Sequence, residues 1–269
     1  MTPLEIARLE ERRQGIATTE IADEGQELAG GYLAFGGAGS WVNQAVGLGL
    51  DGAVSDADLD TLVDYYTSRG VEPRIEVCAF AHDTLLRGLA DRGFVLREFE
   101  NVYARLLSAD EAIRDQHPHG WPAVEMVRVD PDNEQQVHDH AFVSSSGFVE
   151  GAPSETMLRI AKRTCTHPRT TAFNAVVDGN VVGAGAMEVS EGVATLFGTS
   201  VNAEYRRQGI QLALILERLA HAQACGCRLV TIHSRPGIPT ERNSERVGFA
   251  LSYTKVVLVK PGEGLVPSP

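Results

Sequence analysis

The sequence predicts an α+β chain of two tandem domains built alike. Three observations carry this reading. The order of strand-like and helix-like stretches before residue 110 returns after residue 124. Two distant segments, "IEVCAFAHDTLLRGLADRGF" (75–94) and "VTIHSRPGIPTERNSERVGF" (230–249), each read as a strand, a helix and a closing Gly-Phe, and Gly93 and Gly248 stand 155 positions apart. Between the copies lies "SADEAIRDQHPHGWPAVE" (108–125), whose two prolines, two histidines and alternating charge suit a linker. A repeat this long is a duplicated domain and not a solenoid unit. The expected division is 1–110, a linker at 111–123, and 124–269; a chain of 269 residues is comfortable for two domains.

The elements follow from period and punctuation. The first half opens with helical stretches at 2–13 and near 18–29, then strands "YLAF" and "WVNQAVGLGL". "DADLDTLVDYYTSRG" is a helix, "RIEVCAF" a strand, "AHDTLLRGLADRG" a helix and "FENVYARLL" a strand. In the second half "VEMVRV" is a strand, and "DNEQQVHDHAFV" and "SETMLRIAKRT" are helices. "TAFNAVVDG" and "NVVGAGAMEV" form a hairpin, because Asp178-Gly179 separates two alternating apolar runs. The strand "VATLFGTSV" leads to a helix from Gly209 to Ala224 that is apolar on nearly every face and therefore buried, with Gly226 as its stop. "RLVTIHS", the short helix "TERNSERVG" and the strand "LSYTKVVLVK" close the chain.

Composition narrows the function classes. The net charge of -12 gives no field that would draw nucleic acid or an anionic membrane. The N-terminal "MTPLEIARLEERRQG" has acids where a signal peptide has an apolar core, and no apolar run approaches the ~18 residues of a membrane span. A cytoplasmic protein is expected. Cys78, Cys165, Cys225 and Cys227 are too scattered for a disulfide framework. His221, Cys225 and Cys227 lack a fourth ligand, and His138 and His140, two apart on a helix, face different ways, so no metal site is expected.

The most informative stretch is "VNAEYRRQGIQLALI", a strand end, a loop and the mouth of the buried helix. A helix N-terminus offers free N–H groups and a positive dipole end, which together bind phosphate. Gly209 lets an anion approach the backbone, while Arg206 and Arg207 add charge. This stretch resembles the acyl-CoA pyrophosphate loop of the GNAT (GCN5-related N-acetyltransferase) superfamily: Arg or Gln, two residues, Gly, one residue, then Gly or Ala. Arg206 and Gly209 match, and Val201 matches the strand-end residue beside the pantetheine. Ala203 replaces a usual proline and Gln211 the second glycine. The likeness extends through "ERNSERVGF" and the element order from 124 to 260.

The resemblance implies two GNAT-like domains, each a mixed, mostly antiparallel central sheet flanked by helices. It implies acetyl-CoA as cosubstrate, held by Ser200, Val201, Arg206, Arg207, Gln208, Gly209, Ile210 and Gln211, with Asn243 hydrogen-bonding the pantetheine or phosphate. The reaction implied is acetyl transfer to an amine of a small molecule or peptide, by direct attack. At the 155-residue offset Arg206 and Gly209 fall on Asp51 and Val54, within "LDGAVSDADLD", whose four aspartates would repel a pyrophosphate. The first domain is therefore expected to be degenerate, shaping the acceptor pocket or holding the pair together. The family's proton-donating tyrosine corresponds to Ser244; Tyr253 is the substitute candidate, with a core role as its competing reading. No carboxylate lies on "VATLFGTSV"; Glu188, Glu191 and His233 are the nearest base candidates, and water is the alternative. Two other readings stay open: a non-catalytic acyl-CoA-binding or sensing protein, and a protein-interaction module. Homo-oligomer formation is compatible with all three.

Overall fold

The computed structural model describes residues 1–267. The chain packs as two compact units, one comprising Met1–Val102 and the strand from Leu251, the other Tyr103–Ala250. This differs from the expected 1–110 and 124–269: the last strand in sequence belongs with the first unit.

The first unit starts with α1 (Pro3–Ile21), where Thr2 and Glu5 form a reciprocal capping box and Pro3 occupies the first turn. Two helices were expected here; nothing in the sequence breaks the first one, and Glu24–Leu28 is instead strand β1. β1 makes a hairpin with β2 (Gly31–Phe35) through Ala29 and Gly30, both at positive φ. Strand β3 is only Gln44–Val46, since Gly47 and Gly49 turn the chain at positive φ. Then come α2 (Asp56–Thr67), β4 (Arg74–Cys78), α3 (Asp83–Asp91) and β5 (Val95–Leu106). The sheet order is β1-β2-β3-β4-β11-β5, where β11 is Ala250–Val259. β3 and β4 are parallel; β4 and β11 are antiparallel. Leu59, Leu62, Leu85 and Leu89 pack with the edge-to-face pair Tyr65 and Tyr66 in the core.

One polar cluster interrupts that core. Lys255, on β11, is fully buried, 3.1 Å from Glu11, 2.9 Å from Glu76 and 3.9 Å from Glu100. Burial alone would lower the Lys255 pKa, but the three carboxylates raise it above the usual lysine range.

The second unit contains the end of β5, then β6 (Glu125–Arg128), α4 (Glu134–Ser146), α5 (Glu155–Cys165), β7 (Thr170–Val177), β8 (Asn180–Ser190), β9 (Val193–Val201), α6 (Ile210–Ala224), β10 (Leu229–Ser234) and α7 (Pro239–Arg246). From the end of β5 the order is β10-β9-β8-β7-β6. All neighbours from β6 to β9 are antiparallel, whereas β9 and β10 are parallel. The Asp178-Gly179 hairpin forms as expected, and Gly226 follows α6 at positive φ. α6 lies in the main core, with Leu212, Leu214, Ile215, Leu216 and Leu219 almost inaccessible.

The expected linker is not a free tether. Ile113 is core, and Arg114 in the 3₁₀ turn Arg114–Gln116 donates from Nε and Nη2 to the two carboxylate oxygens of Glu217 on α6, at 2.8 and 2.7 Å. Gln223 of α6 donates to the Ser108 carbonyl at 2.7 Å. The prolines make this backbone irregular, but one buried isoleucine and these bonds strap it along α6.

Candidate functional site

The site begins where two parallel strands part. β9 pairs with β10 only from Val193 opposite Leu229 to Leu196 opposite Ile232; β9 then continues to Val201 and β10 to Ser234 without pairing. The cause lies on the other edge of β9. Its register with β8 shifts between Ala184, opposite Ser200, and Ala186, opposite Phe197. Gly198 takes up the extra residue at φ 60°, a conformation that suits glycine. Such a bulge twists and bends the strand that carries it.

The bulge is bonded from below. Arg218, in the middle of α6, is fully buried. Its guanidinium donates to the carbonyls of Ala186 (2.9 Å) and Phe197 (3.2 Å) and to Thr199 Oγ1 (2.7 Å), while Nε donates to Leu214 O (2.8 Å). A Cβ on Gly185 would sit 3.0 Å from its Cζ. Burial pushes the Arg218 pKa down to about 9. On α4, His140 is buried against Asn174 at 2.9 Å; burial, with the Arg218 charge adding to it, holds its pKa at about 4, so the ring is neutral.

The strand ends on the loop singled out in the sequence. Ser200 and Val201 are buried, and a Cβ on Gly147 would meet Ser200 Oγ at 2.5 Å, so glycine allows α4 to end against β9. Arg206 Nε donates to the Val201 carbonyl at 3.0 Å, bracing the turn. Arg207 (φ 63°) and Gly209 (φ 82°) are both left-handed, with Gln208 between them. A loop of this kind turns its backbone N–H groups toward a common concavity suited to anions. Gly209 is the N-cap of α6; no side chain caps the helix, and its first turn holds no acid. An open hollow of about 330 Å³ lies beside it, lined by Ser146, Ser200, Val201, Asn202, Ala203, Glu204 and Arg206.

Gln211 and Asn243 also meet. The Asn243 amide donates to Gln211 Oε1 at 2.7 Å, and Gln211 Nε2 donates to Thr240 Oγ1 at 3.0 Å. The glutamine that replaces the second motif glycine thus ties α6 to α7, with its side chain turned toward α7. Ile210 is core, and Gln208 donates to Glu204 O at 3.3 Å.

The structure gives the two expected proton donors other occupations. Ser244 is fully buried and its hydroxyl donates to Thr240 O at 2.8 Å, one turn back in α7. Tyr253 lies on β11, in the first unit, where its hydroxyl donates to Glu11 Oε1 at 2.8 Å and burial raises its pKa well above the usual tyrosine value. Glu188 is buried in an ion pair with Arg169 at 2.8 Å, and Glu191 forms a turn at φ 52°.

Sequence reasoning missed His117 and Arg218. His117, from the segment read as linker, sits against Gly209: its Nε2 is 3.3 Å from Gly209 O, and a Cβ on Gly209 would approach that nitrogen to 2.8 Å. The room left by the glycine is therefore used by an imidazole on one side. Arg218 left one trace in the sequence, a lone arginine in the apolar run "LALILERLAHA".

Residues 135–249 match the family model described as Acetyltransferase (GNAT) family. No curated protein matches the chain in sequence. Several solved structures share its fold. A GCN5-related N-acetyltransferase from Kribbella flavida is 18% identical, covering 96% of this chain and 95% of its own, with a TM-score of 0.69. A tandem GNAT protein from the clavulanic acid biosynthesis pathway is 15% identical over 87% of this chain and 80% of its own, at 0.59. A GCN5-related N-acetyltransferase from Sphaerobacter thermophilus is 20% identical over 74% of this chain and 64% of its own, at 0.52. Parallel strands that part at a bulge and an uncapped glycine-led helix beneath them lie within residues 135–249, the part of the chain that matches the GNAT family model, and the solved structures show the same fold over most of the chain.

Proposed function

We propose that the second unit binds acetyl-CoA at the end of β9 and transfers its acetyl group to an amine, in the cytoplasm. The observation that carries this is the uncapped mouth of α6, set at the point where β9 and β10 have parted. In this reading the N–H groups of Gly209, Ile210 and Gln211 and the charges of Arg206 and Arg207 hold the pyrophosphate, with Gln208 beside them. The backbone of Ser200 and Val201 lies along the pantetheine, and the Val201 N–H polarises the thioester carbonyl. Gln211 and Asn243 keep α6 and α7 in place around the ligand. The acceptor amine attacks as the neutral base; water takes its proton and supplies one to the thiolate. The acceptor is a small-molecule or peptide amine, and neither a metal nor a nucleic acid takes part.

Acetyl-CoA turnover against a panel of amines, followed by thiol release, tests this. Thiol release that depends on the amine and is lost in Gly209→Asp is the expected result. A second reading, a non-catalytic acyl-CoA sensor, is favoured by one observation: the hydroxyls of Ser244 and Tyr253 already donate elsewhere. Acetyl-CoA binding by calorimetry, with no turnover on any amine, would select that reading.

A further inference from the structure

We propose that Arg218 is a positioning residue for acyl transfer, pinning the bulge of β9 so that Ser200 and Val201 stay clear of β10 and face the thioester. The inference rests on the functional reading above.

Arg218 is an expensive choice for its place. It is fully hidden from water, in a helix whose other buried residues are apolar. No carboxylate pairs with it among the described residues. A buried cation without a counter-ion costs several kcal/mol, and apolar residues of similar volume are often neutral or stabilising in such sites. A methionine would fill the volume, so packing does not account for the guanidinium. What it adds is geometry. One planar group bonds three elements at once: Leu214 O in its own helix, Ala186 O on β8, and Phe197 O with Thr199 Oγ1 on β9.

These acceptors flank the fault in the sheet. Ala186 and Phe197 are register partners, and the register shifts immediately beyond them, where Gly198 takes its left-handed turn. A bulge leaves ladder groups without partners, and buried carbonyls left unpaired are costly. Arg218 supplies donors at that point. Gly185 opposite the bulge has no Cβ, and one added there would press on the guanidinium. With Arg218 gone, Phe197 O and Ala186 O lose their shared donor. β9 would then gain by straightening and extending its pairing with β10, which closes the gap.

The test separates the two ends of CoA. Calorimetry would compare acetyl-CoA with 3′-phosphoadenosine 5′-diphosphate, the fragment that ends at the pyrophosphate. In Arg218→Met, affinity for the fragment should stay within about twofold of the parent, because the mouth of α6 is untouched. Affinity for acetyl-CoA should fall at least tenfold, and Arg218→Lys, which can still reach one carbonyl, should restore part of it. Gly185→Ala crowds the guanidinium without removing it and should give a smaller effect of the same selectivity; it decides the matter should Arg218→Met fail to fold. Unchanged acetyl-CoA affinity in a folded variant, or equal loss for both ligands, would overturn the proposal. A parent chain that binds neither ligand would refute the functional reading itself, a distinct result.

Discussion

Helices α2 and α6 hold matching places in the two repeats, yet their N-termini are finished differently. α2 is closed by the chain itself: Ser55 accepts from Asp58 N–H, Asp58 returns the bond to Ser55 N–H, and Asp56 adds a second acid to the first turn. α6 has Gly209 in that place, with neither cap nor acid. The strands above them differ in the same sense. In the first unit Ala45 pairs with Ile75, and beyond the strand ends His82 N–H donates to Gly49 O at 2.8 Å. At the 155-residue offset Ala45 and Ile75 correspond to Ser200 and Val230, but Val230 pairs with Ala194, farther back along β9. Gly237, the counterpart of His82, donates to the side chain of Glu241 in the helix that follows it. Each unit also buries a cation. Lys255 is surrounded by glutamates, whereas Arg218 has only neutral acceptors. One fold thus has a closed form, satisfied from within, and an open form with donors left over. In the proposed reading, the side chains of Ser55 and Asp58 occupy at α2 the place that the ligand takes at α6.

The largest effect should come from the closed unit. Lys255→Met leaves Glu11 and Glu76 buried without their cation, and urea unfolding should report a loss of about 3–5 kcal/mol. A loss below about 1 kcal/mol would mean that the cluster is not the electrostatic keystone of that unit. Next comes Gly209→Asp, which places a negative charge at the open helix mouth, crowds His117 and strains a φ of 82°. CoA affinity should fall at least tenfold, ~1.4 kcal/mol or more. Unchanged binding in a folded variant would end the phosphate-loop reading. Ser55→Ala should cost about 1 kcal/mol of stability through the lost cap and leave CoA affinity untouched; a change in CoA binding would place a ligand at α2. The smallest effect is a null one: Asp51→Arg should not alter CoA affinity, and titration of the parent should saturate at one CoA per chain. Saturation at two would break the contrast between the units.

What the sequence made legible is where local chemistry decides. Asp178-Gly179 can make one kind of tight hairpin turn, and it does. An apolar run ending at Gly226 is a buried helix under most circumstances, and Gly209 marks its start. What stayed hidden depends on residues far apart in the chain. β1 is polar and almost wholly exposed, so no apolar alternation marks "EGQEL" as a strand; only pairing with β2 makes it one. Tyr253 shows the same limit at the candidate site. Its hydroxyl serves Glu11, 242 residues away, and no spacing rule connects them. Ser244 was in the right place for the motif, but a helical serine readily bonds the carbonyl one turn back.

The course of synthesis gives the position of β11 in the first unit a further meaning. Chains emerge from the ribosome N-terminus first, and domains ordinarily fold as they appear. The first unit here cannot, because β11 lies between β4 and β5 in its sheet and is made only after every element of the second unit. Lys255 arrives 179 residues after Glu76, so the buried glutamates wait for their cation through the whole of the second repeat. Until then β4 and β5 present unpaired edges, the condition under which strands find wrong partners. The C-terminal segment is therefore the closing part of the first unit's fold: removing it should expose those edges in the part of the protein farthest from it in sequence.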